Sequence, residues 1–303
     1  MSVATMMDGV MAETQFLPEV SSEVATHALS ESEREEVLSF LAERAVHTVC
    51  LAGFIRDNGI VSPHNRGTFY GCRNSEGRLE GVALVGHATL VEARRDEALV
   101  AFARLTRALD STHLVRVEQG QGALFWRHYA AAGVCAPRRV CHELLLEMRP
   151  PVRVCEPVPS LRLAAAADAE EVMLVNGAMA FEEGGVNPLT CDAEGFRRRT
   201  LRRIAQGRVW VWVEGGRLVF KADVLADTPE AVYLEGVHVR ADERGKGYGT
   251  RCLTRLGRVL LRRALSVCLV VNGRHHAAHA FYARAGFAPR GGYDTIYLRR
   301  DDD

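Results

Sequence analysis

Short apolar runs and alternation of apolar with polar residues predict strands after residue 160, and helical spacing of apolar residues predicts helices. The predicted strands cover 161–163, 210–213, 218–220, 233–239, 267–271 and 295–298. The predicted helices cover 168–181, 196–205, 250–265 and 276–285. The order β-α-α-β-β-β-α-β-α-β indicates a mixed α+β fold in which helices cover a sheet.

The first half of the chain repeats parts of this order. The repeated segments are a hairpin at 69–86, a helix at 95–109, a strand at 114–118 and a short helix around 126–133. Both short helices reach Ala-Pro-Arg soon after a tyrosine, Tyr129 in one half and Tyr282 in the other. These matches predict an internal duplication.

Two registers align the halves. The preferred one superposes the hairpin turns at Gly77 and Gly216, and a rival pairs 79–82 with 234–237 but leaves the hairpins unmatched. The preferred offset is 139 at the hairpins and 153 at Tyr129 and Tyr282, so the first half is about 14 residues shorter between these landmarks. We expect the missing piece where the second half has a strand and a glycine-rich turn.

Composition divides the chain into four segments. We expect an acidic, flexible lead-in at 1–38, a first domain at 39–150, a proline-rich connector at 151–160 and a second domain at 161–303. With 303 residues, of which 48% are hydrophobic and 25% charged, the chain has the composition of a globular protein.

Charge and targeting signals narrow the partners. The formal net charge is zero, which argues against binding to nucleic acid or acidic lipid through a global field. The sequence has no apolar membrane segment and no signal peptide at its start, so we expect a cytoplasmic protein. The eight cysteines form no C-x-x-C pair, and we expect no metal site.

The most informative segment is a predicted strand that ends in a glycine-rich turn and opens a helix. Gly247 and Gly249 allow a tight bend and a close approach of ligand to main chain, and a helix N-terminus attracts anions. Arg244 and Lys246 add positive charge, and Thr250 could cap the helix or bond a phosphate oxygen. The segment is therefore a candidate diphosphate site, although its spacing matches neither G-x-x-x-x-G-K-[ST] nor G-x-G-x-x-G.

The pattern R-x-x-G-x-G that begins at Arg244 resembles the acetyl-CoA-binding motif of the GNAT superfamily of N-acetyltransferases. Downstream, 271–287 is similar to the family's V-N-x-x-N-x-x-A-x-x-x-Y-x-x-x-G-F signature, with His275 where asparagine is common. The resemblance extends over 161–298 and implies a tandem GNAT protein with a degenerate first half.

The resemblance implies a mostly antiparallel central sheet in each of two GNAT-like domains. Strands 233–239 and 267–271 would splay apart, with the pantetheine arm between them and the diphosphate on the turn. The implied cofactor-binding residues are Val237, Val239, Arg244, Gly245, Lys246, Gly247, Tyr248, Gly249, Thr250 and Asn272. Acetyl-CoA is the implied donor, and the acetyl group would pass directly to a primary amine.

Such a transfer requires a base at the amine and an acid at the departing thiolate. Tyr282 matches the family's acid by position, and the alternative is a core aromatic beside Phe281. For the base we select Glu235, because alternation should place 233, 235, 237 and 239 on one face and His238 on the other. A partly buried carboxylate would have a raised pKa, but Glu235 could equally pair with an arginine. Other candidates for the base are Glu182, Glu183 and Asp223.

Acceptor selection is expected in the loop at 182–187, although an ordinary solvated loop is as plausible. The arginine cluster at 197–203 is either an exposed helix face or a site for an anionic acceptor or the ribose phosphate. The first-half turn at 91–97 has no glycine and carries carboxylates, so it should repel a diphosphate.

Three functions fit the sequence: an N-acetyltransferase, a transferase of another acyl or aminoacyl group, and a non-catalytic protein that binds coenzyme A. The acceptor and the oligomeric state stay open.

Overall fold

The structure is a computed structural model that describes residues 24–109, 112–130, 136–154, 156, 158 and 160–298. The first-half elements are β1 (Ala25–Ala28), α1 (Arg34–Ala42), α2 (Ala45–Asn58), β2 (Gly67–Arg73), β3 (Leu79–Gly86), β4 (Ala88–Ala93), α3 (Asp96–Leu109), β5 (Leu114–Glu118), α4 (Gly122–Tyr129) and β6 (Arg139–Met148). The second-half elements are β7 (Arg162–Leu163), α5 (Ala169–Gly184), α6 (Pro188–Cys191), α7 (Ala193–Ala205), β8 (Val209–Glu214), β9 (Arg217–Asp227), β10 (Val232–Val239), α8 (Tyr248–Leu260), β11 (Val267–Asn272), α9 (His276–Ala285) and β12 (Ala288–Tyr297).

The described strands form one 12-stranded sheet in the order β1-β2-β3-β4-β5-β12-β6-β11-β10-β9-β8-β7. Within the described chain, the β4–β5 and β10–β11 pairs are parallel and the other pairs are antiparallel. The sheet is thus mixed and mostly antiparallel, as the sequence predicts.

The two halves exchange their last strands. β6 of the first half pairs with β11 of the second, from Val267 opposite Met148 to Asn272 opposite Glu143. β12 of the second half lies between β5 and β6 and bonds to both. Strands from before and after the connector at 151–160 therefore belong to one sheet. The two halves of the sequence do not form separate sheets.

Helices cover both faces of the sheet around β9, β10 and β11. On one face, Leu253 and Leu256 of α8 pack with alternate apolar residues of these strands, and Phe281 of α9 packs against the same cluster. On the opposite face, Val46 and Val49 of α2 pack against the same strands. A helix of the first half thus covers strands of the second.

The structure confirms the predicted order of the second half, with differences at the ends of elements. Helix α5 extends to Gly184, so Glu182 and Glu183 lie in its last turn rather than in a loop. The short helix α6 was not predicted, and β12 begins at Ala288 instead of 295.

The first half contains strands that the pattern did not reveal. β4 and β6 lie inside the sheet, and β6 carries the apolar run Leu144-Leu145-Leu146 in place of an alternating pattern. β1 lies within the predicted flexible lead-in, and residues 1–23 of that lead-in are outside the described part of the chain.

The hairpin register of the duplication is confirmed. β3 and β9 both follow the matched turns, and each continues into a strand of a parallel pair, β4 or β10. The expectation that the first half lacks this strand is wrong: β4 is present but has 6 residues where β10 has 8. The turn after β4 consists of Arg94 and Arg95 alone, because 91–93 belong to the strand.

No helix in the described residues is long and apolar enough to cross a membrane.

Strand exchange predicts that the halves stay together when the chain is cut between them. A protease site inserted before Val154, which is 71% exposed, allows the cut in the folded protein. Because β6 and β12 each pair with strands of the other half, the two fragments should co-elute in size-exclusion chromatography until denaturant is added. Separation of the fragments in native buffer, with the uncut protein as the reference, would contradict the exchange.

Candidate active site

An open cleft lies where β10 and β11 separate. The two strands pair in parallel only through Val232–Leu234 and Val267–Leu269. Beyond Leu234, β10 remains paired with β9 and β11 remains paired with β6, so the strands diverge toward the start of α8. The predicted splay is therefore present.

A β-bulge in β10 reverses the predicted facing of its side chains. Glu235 lies opposite Asp223 and His238 lies opposite Lys221, so β10 has one residue more than β9 between these pairs. Because 221 and 223 share a face, Glu235 and His238 share that face too. Val237 and Val239 instead pack in the core cluster of α8. Val237 and Val239 thus share a face and His238 lies on the other, as expected, but the expectation that 233 and 235 share the face of the two valines is wrong.

A buried ion pair fixes the bulge. Lys221 is fully buried, its Nζ lies 2.8 Å from Oδ2 of Asp223, and it donates to the carbonyl oxygen of Gly236 at 2.9 Å. Asn176 of α5 also donates to Asp223. Gly236 has φ +58°, and a Cβ there would lie 2.7 Å from the lysine nitrogen. Glycine is therefore required at this position by both conformation and space.

Glu235 is paired with an arginine. Its Oε1 accepts a hydrogen bond from Nη1 of Arg203 on α7, and the same nitrogen lies 3.9 Å from Oδ2 of Asp223. The arginine alternative from the sequence analysis is the one that the structure contains. Arg203 also shows that one member of the cluster at 197–203 faces the site rather than solvent.

Two other candidates lie close enough for their charges to interact. The pKa of Tyr282 is raised to about 12, first by burial and then by the nearby charge of Glu183. Glu183 is exposed, yet desolvation by the surrounding protein raises its carboxyl pKa, the charges of Glu235 and Glu143 add to this rise, and Arg116 and Arg139 oppose it. Tyr282 also packs against Phe281 and Phe287, so it has the core contacts of the alternative interpretation as well.

His238 stands near these groups. Burial lowers its pKa first, the charges of Arg244 and Lys221 lower it further, and Glu182 opposes them. The histidine thus favours its neutral form.

The glycine-rich turn has the geometry of an anion site. Gly245 and Gly247 have φ near +80°, and a Cβ added at either would meet no heavy atom of the described residues within 4 Å. Gly247 is the N-cap of α8, and the first turn of that helix contains no acidic residue. In contrast, α3 of the first half begins with Asp96 and Glu97. Of these two turns, the second-half one presents open main chain and a helix N-terminus without carboxylates.

Other residues of the turn have structural contacts. A Cβ on Gly249 would lie 2.6 Å from Val239 Cγ2, so this glycine is needed for packing of α8 on β10. Arg244 donates to the carbonyl of Val239 at 2.9 Å, and Lys246 pairs with Glu243. Tyr248 packs edge-on against the ring of Trp212.

Asn272 belongs to β11 and Thr250 belongs to α8. Asn272 ends β11, where its side-chain oxygen accepts from the main-chain nitrogen of Arg274 at 2.9 Å. Thr250 lies in the first turn of α8. His275 immediately precedes α9, and its neighbour His276 packs edge-on against His279. The described residues contain no group of three or more potential metal ligands.

Several residues at this site are not predicted by the sequence pattern. Lys221 carried a signal: it is one of only two lysines in the chain, and it interrupts an apolar strand. Arg116 of β5, Arg139 of β6 and Glu143 of β6 carried none, because strand exchange brings them to the second half.

Comparisons with known proteins agree with this architecture. Residues 181–287 match the model of the acetyltransferase (GNAT) family. No curated protein matches the chain.

Solved structures share the fold over most of the chain. A GNAT-family acetyltransferase from Colwellia psychrerythraea is 13% identical, with a TM-score of 0.55 and coverage of 91% of this chain and 99% of that one. A tandem GNAT protein from the clavulanic acid biosynthesis pathway is 16% identical, with a TM-score of 0.55 and coverage of 90% and 98%. A Drosophila protein is 14% identical, with a TM-score of 0.65 and coverage of 90% and 98%. Both halves therefore have the tandem GNAT fold.

The buried lysine predicts a stability effect. Replacing Lys221→Met should lower the free energy of unfolding by about 3–5 kcal/mol, because the buried Asp223 loses its nearest counter-charge and keeps only the more distant Arg203. The double variant Lys221→Met with Asp223→Leu should lose less than the single variant. Denaturant titration measures both.

The other lysine of the chain provides the control. Lys246→Met removes an exposed charge and should change stability by at most about 0.5 kcal/mol. If Lys221→Met and the double variant Lys221→Met with Asp223→Leu lose equal free energy of unfolding, the ion pair does not determine stability at this position.

Proposed function

We propose that this chain, whose residues 181–287 match the GNAT family of acetyltransferases, transfers acetyl from acetyl-CoA directly to a primary amine. The observation that carries the proposal is the separation of β10 from β11 beyond Leu234, where β10 continues toward the glycine-rich turn and α8. Tyr282 and Glu183, whose charges interact, would supply the proton transfers.

The turn fits the diphosphate of coenzyme A. Gly245 and Gly247 leave the main chain accessible, and the N-terminus of α8 attracts negative charge. Arg244 and Lys246 add positive charge, while Gly249 allows the helix to approach the strand. The main chain at Val237 and Val239 would hold the pantetheine arm, and Asn272 would border it on β11.

Bound acetyl-CoA supplies the acetyl group as a thioester. The bound ammonium group first releases one proton to solvent through a carboxylate of the chain. The resulting neutral nitrogen then forms a bond to the carbonyl carbon, and the bond from that carbon to sulfur breaks. A carboxylate of the chain takes the proton from nitrogen, and the Tyr282 hydroxyl gives a proton to sulfur. Solvent then returns a proton to the tyrosine and removes one from the carboxylic acid.

Two carboxylates compete for the role of base. Glu235, the choice from the sequence, is paired with Arg203, which holds it as an ion pair. Glu183 has a raised carboxyl pKa, interacts with Tyr282 and lies within the predicted acceptor segment. We therefore assign Glu183 as the base and place Glu235 beside the amine, where its negative charge stabilises the ammonium form before proton transfer.

Binding of coenzyme A can be separated from helix stability at Thr250. Thr250→Asp places a carboxylate in the first turn of α8, which should stabilise the helix by about 0.3–1 kcal/mol. The same charge should repel the diphosphate and weaken coenzyme A binding by about tenfold or more. Calorimetry with coenzyme A and thermal unfolding measure the two effects.

Thr250→Asn is the matched control, since it has the same size without the charge. If Thr250→Asp binds coenzyme A as tightly as Thr250→Asn does, the diphosphate does not bind at this turn.

The proton-transfer roles predict kinetic effects. Tyr282→Phe should lower kcat by about 10²–10⁴-fold while coenzyme A affinity is unchanged. Because the pKa of Tyr282 is about 12, loss of its proton should not reduce the rate below about pH 11. The rate is measured from the release of the coenzyme A thiol.

The raised pKa of Glu183 sets the acid side of the profile. A base must be deprotonated, so activity should fall with decreasing pH, starting above the range of an ordinary carboxyl group. Glu183→Gln should remove this limb and Glu235→Gln should retain it; the reverse result would assign the base to Glu235.

Unchanged rates in all three variants would favour a protein that binds coenzyme A without turnover. A panel of acyl donors tests transfer of another acyl or aminoacyl group.

A further inference from the structure

A surface groove lies between the end of α5 and the start of β6. Its lining includes Phe181, Glu182 and Gly184 from the second half and Arg138 and Arg139 from the first. Phe181 is 57% exposed, so its ring is accessible to a ligand. The groove therefore combines an accessible aromatic ring with two guanidinium groups.

The groove adjoins the candidate active site through Glu183. The charge of Glu183 interacts with Arg139 and Arg116 of the first half and with Glu235 of β10. The same carboxylate interacts with Tyr282. Glu182 and Gly184, which line the groove, flank Glu183 in the chain, so a molecule in the groove would lie beside the proposed base.

The two arginines are fixed but not neutralised. Arg138 donates to the carbonyl oxygen of Gly184 at 2.6 Å, and the guanidinium of Arg139 donates to that of Glu183. Both guanidiniums also lie over the ring of Tyr297. In the described part of the chain neither arginine has a carboxylate within 4 Å, and Nε of Arg138 is buried without an acceptor.

The second-half wall of the groove has the opposite charge. Glu182 and Glu183 end α5, and among the described residues neither carboxylate forms an ion pair within 4 Å. Glu182 and the two arginines thus line one groove, and among the described residues they form no ion pair with each other. This arrangement leaves both charges available to a ligand that carries one charge of each sign.

We propose that the acceptor is a zwitterion whose carboxylate binds Arg138 and Arg139 in the groove while its ammonium group faces Glu183 and Tyr282. Guanidinium groups suit a carboxylate because their planar N–H donors match its two oxygens. The inference rests on the proposed acetyl transfer and adds that the first half of the chain selects the substrate. The exposed Phe181 ring would contact the apolar chain between the two charged ends.

The test compares two series of amines with the full-length protein. One series is the unbranched ω-amino carboxylic acids of about two to eight carbons, and the other is the n-alkylamines of the same lengths. We expect one length of amino acid to be acetylated with a kcat/KM about tenfold to a hundredfold above that of its alkylamine. The length series finds the separation of the two subsites without assuming it.

Variants then connect the preference to the groove. Arg139→Gln should lower kcat/KM for the best amino acid by about tenfold more than it lowers kcat/KM for the alkylamine, whereas Arg139→Lys should restore part of this difference. Arg127→Gln, which removes an exposed arginine of α4 outside the groove, is the control and should change neither. Thermal shifts with coenzyme A should be equal in all variants.

Three results would overturn the inference. The first is equal acetylation of both series at every length, and the second is a loss in Arg139→Gln that affects both series alike. The third result comes from calorimetry on the protein loaded with coenzyme A. If the amino acids bind no more tightly than the alkylamines, the groove is not a carboxylate site. Selective binding without acetylation would instead support the groove and refute the proposed reaction.

Discussion

The buried ion pair between Lys221 and Asp223 is the interaction on which the cleft depends. Removing two charges from water is costly, and here three polar contacts offset that cost: the pair itself, the bond to the Gly236 carbonyl and the bond from Asn176. The lysine holds the bulge of β10 in place. The bulge in turn sets which side chains of β10 face α8 and which face α5 and α7. A change at this pair therefore affects the whole cleft.

Much of the second half could be predicted from sequence because its signals are local. Alternation, capping residues and the glycine-rich turn each depend on neighbours within a few positions, and the structure contains the corresponding strands and helices. β4 and β6 could not be found in this way, because strands inside a sheet bury both faces and lose the alternating pattern. The prediction of the face on which Glu235 lies was wrong for another reason. The extra residue in β10 arises from pairing with Lys221 on β9, and sequence periodicity does not reveal such pairing.

The candidate site in the second half is completed by residues that are distant in sequence. β6 closes the sheet beside β11, and its side chains, together with Arg116 of β5, reach the carboxylates at the end of α5. The Arg116 guanidinium is itself held by Glu143 at 3.0 Å and by Thr295 of β12 at 3.1 Å. The electrostatic character of the site is therefore a property of both halves, which explains why a motif search within one half describes only the coenzyme end of the cleft.

The exchange of β6 and β12 also bears on how a duplicated gene diverges. A copy that does not need a ligand site is normally free to decay, and the acidic residues at the start of α3 disfavour a diphosphate in the first half. Here that copy supplies a strand that its sister cannot replace, and it receives one in return. Selection on the second-half site therefore also acts on the fold of the first half. Mutations can remove a ligand site from the first half, but they cannot remove its fold.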